Sequence, residues 1–68
     1  MLKLEDFQKQ NNILYYSLGE ESGIEIHLSN EFEVYYIPQY GGNTIFDSSY
    51  LTIEEALKRA NFIKENYT

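Results

Sequence analysis

The fold is decided by residues 24–37, which read IEIHLSNEFEVYYI. Apolar and polar side chains alternate over residues 24–29, and the alternation resumes at Phe32 after the polar pair Asn30-Glu31. Alternation with a period of two is typical of a half-buried β-strand, because successive side chains point to opposite faces of a sheet. This stretch therefore predicts two antiparallel strands that a tight turn connects.

Further strands are predicted on both sides of this stretch. Upstream, residues 13–18 read ILYYSL, and β-branched and aromatic residues such as these favour strands. Downstream, Pro38 ends the preceding strand because it cannot donate a hydrogen bond to a neighbouring strand, and a glycine pair marks the turn before residues 44–47. We therefore expect a three- or four-stranded antiparallel β-meander over residues 13–47.

A C-terminal helix is predicted over residues 52–67. Thr52 and Glu55 fit a capping box, in which the threonine hydroxyl accepts a hydrogen bond from the glutamate amide and the glutamate side chain reaches back. Glu55 and Arg59 are four residues apart, so we expect them to form an ion pair. Apolar residues recur at helical spacing and give the helix one face to bury: Ile53, Ala56, Leu57, Ala60, Ile63 and Tyr67.

The predicted fold class is α+β, as a single small domain over residues 1–68. The helix packs across one face of the meander, and residues 1–12 form a short N-terminal helix or an arm. The alternation predicts that these side chains face inward: Leu14, Tyr16, Leu18, Ile24, Ile26, Leu28, Phe32, Val34 and Tyr36. It predicts that these face outward: Tyr15, Ser17, Glu25, His27, Glu33, Tyr35 and Ile37.

The composition excludes several kinds of site. The 68 residues contain no cysteine, so a disulfide framework, a zinc–thiolate site and a thiol nucleophile are excluded. The same absence favours the cytoplasm, since small secreted domains usually depend on disulfides. Eleven acidic and five basic side chains give a net charge of -6, which disfavours nucleic acid and membranes as direct ligands. We expect no cofactor.

The outward face carries five candidate partner-binding residues: Tyr15, Glu25, His27, Glu33 and Tyr35. Tyrosine is enriched at protein interfaces, and glutamates complement a basic surface. Two other interpretations stay open. Aromatic side chains on a sheet can stack single-stranded bases, although such platforms combine aromatics with cations rather than glutamates. His27 and the two glutamates could instead form an acid–base pair or a metal site.

Phe62 is the sixth candidate for partner binding. At about 100° per residue it falls on the polar side of the predicted helix, opposite Ile53. Three explanations are open: a lone exposed phenylalanine, cover by residues 2–11, or docking of a partner.

These features together favour a non-enzymatic protein–protein interaction module with a basic protein partner. A chain of this size without disulfides also gains stability from self-association, so we expect a homodimer. Its size and negative charge resemble those of small inhibitors that viruses and mobile elements encode against nucleic-acid enzymes, a likeness of size and charge alone. In such an inhibitor, carboxylates would imitate the phosphate backbone. We assign no catalytic and no metal-binding residues.

Overall fold

Five antiparallel strands follow one another in chain order across one sheet, and a helix packs on one face of it. The computed structural model describes residues 1–67. After one turn of 3-10 helix (Leu4–Asp6), the elements are β1 (Gln8–Gln10), β2 (Ile13–Gly19), β3 (Ser22–Leu28), β4 (Phe32–Ile37), β5 (Ile45–Tyr50) and α1 (Ile53–Asn66). The α+β class and the antiparallel sheet with one C-terminal helix are confirmed. The strand count is five, not three or four.

The additional strand is β1, in the segment where the sequence predicted a helix or an arm. That segment contains one turn of 3-10 helix, and β1 then pairs with β2 through a connection at Asn11 and Asn12. Asn11 has a φ of 55°, a left-handed conformation that asparagine tolerates better than most residues. All three residues of β1 are exposed, so no apolar alternation marked this strand.

The predicted inward set forms the core. Leu14, Ile24, Ile26 and Val34 are buried, and the other predicted inward residues pack against them. The helix contributes the small side chains of Ala56 and Ala60, together with Ile63. Two residues outside the predicted set, Leu2 and Phe7, are also buried in this core. The backbone N–H of Leu2 donates a hydrogen bond to Asn61 Oδ1 at 3.1 Å, which ties the N-terminal segment to α1.

A β-bulge in β5 changes the direction of one acidic side chain. Val34 lies opposite Ser48 and Tyr35 lies opposite Phe46, so Asp47 is the extra residue between them. The bulge turns the Asp47 carboxylate toward the helix side, where Arg59 donates from Nε to Oδ2 at 2.7 Å and from Nη2 to Oδ1 at 3.0 Å. Arg59 therefore pairs with β5, whereas the sequence predicted a pair with Glu55 on its own helix.

The predicted N-cap is confirmed at the start of α1. The backbone N–H of Glu55 donates to Thr52 Oγ1 at 3.2 Å. The reciprocal half of the capping box differs, because the Glu55 carboxylate accepts from the Thr52 hydroxyl at 3.1 Å. The cap satisfies a backbone donor that would otherwise have no partner within the helix.

We expect the Thr52→Ala variant to lose about 1 kcal/mol of unfolding free energy, because the Glu55 amide loses its acceptor. Urea denaturation followed by circular dichroism measures the change. The control is Thr44→Ala, at an exposed position outside the helix and strands. If the two variants have the same denaturation midpoint, the cap does not stabilise the fold.

The Asp47–Arg59 pair makes the unfolding free energy depend on pH. Hydrogen bonding from Arg59 lowers the pKa of Asp47 below its ordinary value of 3.8, against the opposing effect of burial. A carboxyl group with a lowered folded-state pKa stabilises the fold fully above its unfolded value, and this contribution disappears as the pH falls through the folded value. The pair therefore stabilises the fold at neutral pH and not in strong acid.

We expect Asp47→Asn to lower the unfolding free energy by about 1 kcal/mol at neutral pH, because a charge-assisted hydrogen-bond pair is lost. The difference from the wild type should stay constant between about pH 7 and pH 5 and should shrink as the pH falls further, to about 2. Urea denaturation at a series of pH values measures it. A difference that stays constant over the whole range would contradict the assignment.

Candidate functional site

The outer face of the sheet lies on the side away from α1. Cross-strand pairing aligns its side chains in two rows, each of which takes one residue from every strand. The first row runs in strand order through Gln8, Tyr15, Glu25, Tyr35 and Phe46. The second row runs through Gln10, Ile13, His27, Glu33 and Ser49. The five candidates predicted for this face therefore lie on two adjacent rows.

Four of these candidates form a contact cluster at the centre of the face. His27 Nε2 lies 2.9 Å from Glu25 Oε1, and the His27 and Tyr35 rings have centroids 4.1 Å apart. The Tyr35 hydroxyl donates to Glu33 Oε1 at 3.2 Å. Each glutamate is thus held by a neighbouring ring group while staying accessible to solvent. We call these residues the outer cluster: Glu25, His27, Glu33 and Tyr35.

The outer cluster disfavours the anionic form of the Tyr35 phenol. Partial burial raises the pKa of Tyr35, and the neighbouring Glu33 and Glu25 carboxylates raise it further. The phenol therefore stays protonated and keeps its hydrogen bond to Glu33. The cluster presents two carboxylates and two ring faces, which is a surface for cationic groups rather than for anions.

Tyr15 is positioned by the glycine next to it in the sheet. A Cβ atom at Gly23 would lie 2.5 Å from Tyr15 Cε1, so the ring occupies the space that a side chain on β3 would need. Tyr15 and Glu25 also border an open depression of about 430 Å³ whose other lining residues come from β1, Asn11 and Ile13. This ring extends the aromatic surface of the outer cluster toward β1.

Phe46 belongs to the same surface but was not predicted. Its ring meets the Tyr35 ring edge to face, with centroids 5.5 Å apart, and 54% of the residue is exposed. The sequence predicted a strand here, yet the facing of its side chains depends on the bulge at Asp47. The contact between Phe46 and Tyr35 could therefore not be predicted from the sequence.

Phe62 lies apart from the outer cluster, on α1 and so on the opposite side of the sheet. The Arg59 guanidinium carbon is 4.7 Å from the centroid of its ring, and the Tyr67 ring lies at 6.3 Å. The residue stays 47% exposed, while Leu2 of the N-terminal segment is buried next to Asn61. The segment thus does not enclose Phe62, and the structure leaves simple exposure and partner docking as explanations.

Two loops at one end of the sheet hold each other in place. Glu20, Glu21 and Tyr40 have φ values of 51°, 63° and 64°, which are unfavourable for residues with a side chain. The Tyr40 N–H donates to the Glu20 carbonyl at 2.7 Å, and the Gln39 amide donates to the Glu20 carboxylate. These contacts fix Glu20 at the rim of the sheet.

His27 is the histidine of the outer face, and its surroundings bear on metal binding and on proton transfer. In residues 1–67, no group of three His, Cys, Asp or Glu side chains is arranged to hold a metal ion. His27 contacts the Glu25 carboxylate, and an imidazole in such a contact can transfer a proton. The other close neighbour of the His27 ring is the Tyr35 ring, which packs against it. Among the same residues, no helical segment has the length and the hydropathy of a membrane span.

Comparisons of the chain with protein-family models, with curated proteins and with solved structures found no match.

Proposed function

We propose that this chain is a non-enzymatic protein–protein interaction module that binds a basic protein partner through the outer face of its sheet. The observation that supports this most strongly is the outer cluster, in which two accessible carboxylates are held by His27 and Tyr35. Side chains that are already held in position lose less conformational entropy when a partner binds. The outer cluster is therefore suited to binding a partner, and the proposal assigns it no catalytic role.

The chemistry of the face selects for arginine and lysine. Carboxylates accept charge-assisted hydrogen bonds from both, and guanidinium groups also pack on aromatic rings. Tyr15, Tyr35 and Phe46 place three rings in the row that also contains Glu25, and Glu33 lies in the adjacent row. A partner with closely spaced cations would therefore find carboxylate acceptors on the two central strands and ring faces beside them.

The net charge of -6 supports the same partner class. A negative protein attracts basic surfaces over a range of about 8–10 Å at physiological ionic strength and repels nucleic acid. Glu31 adds a third carboxylate near the outer face, where it accepts a hydrogen bond from Ser49 Oγ at 2.6 Å. In a narrower form of the proposal, these carboxylates imitate phosphates and block the basic cleft of a nucleic-acid enzyme in the cytoplasm, as an inhibitor from a virus or mobile element would.

The proposal predicts that Glu25→Lys with Glu33→Lys lowers affinity for a basic ligand. A fluorescently labelled arginine-rich peptide serves as the probe, and fluorescence anisotropy measures its affinity. We expect a loss of about tenfold or more, because two ion pairs become repulsive. Binding of the wild type should also weaken as salt is added, because salt screens exposed charges.

The matched control is Glu5→Lys with Glu65→Lys, which changes the net charge equally at exposed positions outside the sheet. An equal loss of affinity in both double variants would mean that net charge, and not the outer face, binds the peptide. Thermal denaturation checks that all variants fold.

Phe62→Ser and a single-stranded oligonucleotide distinguish the remaining alternatives. We expect the Phe62 variant to bind the peptide like the wild type, since its ring lies on α1. Loss of binding in this variant alone would move the site to the helix face. Salt-sensitive binding of the oligonucleotide would instead support base stacking on Tyr15 and Tyr35.

The natural partner can be sought with the same variants. Proteins that the wild type and the Glu5/Glu65 control capture from a cell extract, but that the Glu25/Glu33 variant does not, are identified by mass spectrometry. Capture of the same basic protein by all three would argue against the outer face.

A further inference from the structure

Exposed apolar side chains concentrate along one flank of the molecule. Residues 1–67 include eight large hydrophobic or aromatic residues that are exposed. Five of them lie near β5. Ile45 and Phe46 are in β5, and Leu51 directly follows it. Phe62 and Tyr67 lie on the flank of α1 that the Asp47–Arg59 pair holds against β5. Apolar surface grouped in this way marks an interaction site more often than scattered residues do.

The strand along this flank has an open edge. β5 is the last strand of the described sheet and pairs with β4 alone, so the backbone groups on its other side have no strand partner within residues 1–67. The opposite edge, β1, is only three residues long and carries Lys9, two features that discourage edge-to-edge pairing. β5 has six residues, and its single charge, Asp47, is neutralised by Arg59. The open edge of β5 can therefore accept another strand.

The side chains of β5 face the two sides of the sheet in a symmetric order. The residues opposite core positions face the helix, and the residues opposite Tyr35 and Glu33 face outward. The bulge places Asp47 and Ser48 together on the helix side. From residue 45 to residue 50 the order is helix side, outer side, helix side, helix side, outer side, helix side. This order is the same when the strand is read in reverse.

We propose that two copies of this chain associate through antiparallel pairing of their β5 strands, with a two-fold axis between Asp47 and Ser48. This pairing places each side chain beside one that faces the same side of the sheet. Ile45 meets the second copy's Tyr50, and Phe46 meets the second copy's Ser49. If the pairing moved by one residue in either direction, outward side chains would lie beside helix-side ones. One of these two shifts would also place Asp47 beside Asp47 of the second copy. The symmetric order thus identifies the occupant as a second copy.

The dimer explains the exposure of Phe62. Asp47 lies next to the proposed axis, Arg59 binds Asp47, and the Phe62 ring packs on Arg59 at 4.7 Å. Because a two-fold axis perpendicular to the sheet keeps both helices on one side, the Phe62 rings of the two copies approach each other there. The result is a continuous ten-stranded sheet with two outer clusters on its uncovered face. This interface goes beyond the proposed function, since it uses the sheet edge and not the outer face.

Sedimentation equilibrium over about 10 to 300 µM tests the dimer, a range suited to a small interface. The wild type should approach twice the 8.0 kDa mass of the chain as concentration rises. Ile45→Lys should remain a monomer, because a lysine at a strand edge opposes pairing. The control is Leu4→Lys in the N-terminal 3-10 turn, outside β5, where the original residue is equally exposed at 52%, and it should dimerise like the wild type.

The register is tested by paired cysteines in a chain that has none of its own. Phe46→Cys with Ser49→Cys should form a covalent dimer on mild oxidation, whereas each single variant should cross-link much less. The two positions lie about 10 Å apart along one extended strand, too far for a bond within one copy.

A wild type that sediments as a monomer throughout would overturn the proposal. So would an Ile45→Lys variant that still dimerises, or a loss of the dimer in folded Leu4→Lys. Failure of the paired cysteines to cross-link a dimeric protein would overturn the register and with it the two-fold axis. Circular dichroism spectra and thermal midpoints establish that each variant is folded.

Discussion

The packing of a nearly flat helix face on the inner side of the sheet is the constraint on which the rest of the molecule depends. Ala56, Ala60 and Ile63 meet a layer that includes Ile26 and Val34, and all five residues are inaccessible to solvent. Alanine side chains let a helix approach a sheet closely, and close contact supplies the dispersion energy that a core this small requires. This packing decides which face of the sheet is buried and leaves the other available for binding.

One helix is too narrow for five strands, and the N-terminal segment fills the difference. α1 lies over β3, β4 and β5, so the part of the core beneath β1 and β2 needs other cover. Leu2 and Phe7 supply it, and the Phe7 ring meets Tyr16 at 5.6 Å. The 3-10 turn between Leu2 and Phe7 lets both side chains reach this position. β1 begins directly after Phe7, so burial of that ring places the exposed residues of β1 beside β2.

The sequence predicted what depends on local periodicity and missed what depends on register. Alternation along each strand predicted the inward set and the shared face of Glu25, His27, Glu33 and Tyr35, because their contacts join residues two apart or on neighbouring strands. The strand at 8–10 has only polar side chains, and the bulge at Asp47 is an event of backbone pairing. Neither the all-polar strand nor the bulge leaves an alternating pattern of side chains. The place of Gln8 and Phe46 on the outer face therefore could not be predicted, nor could the pairing of Arg59 with Asp47.

The hydrogen bond from Leu2 to Asn61 joins residues 59 positions apart, and this has a consequence for how the chain folds. The loop-closure entropy of so distant a contact is lost before the contact itself contributes any stability. While the ribosome is still making the strands, the meander has no helix to cover its inner face, and its apolar side chains stay open to water. The core is complete only once Ala56, Ala60 and Ile63 of α1 are in place, so partly made chains are the species most exposed to proteolysis and aggregation.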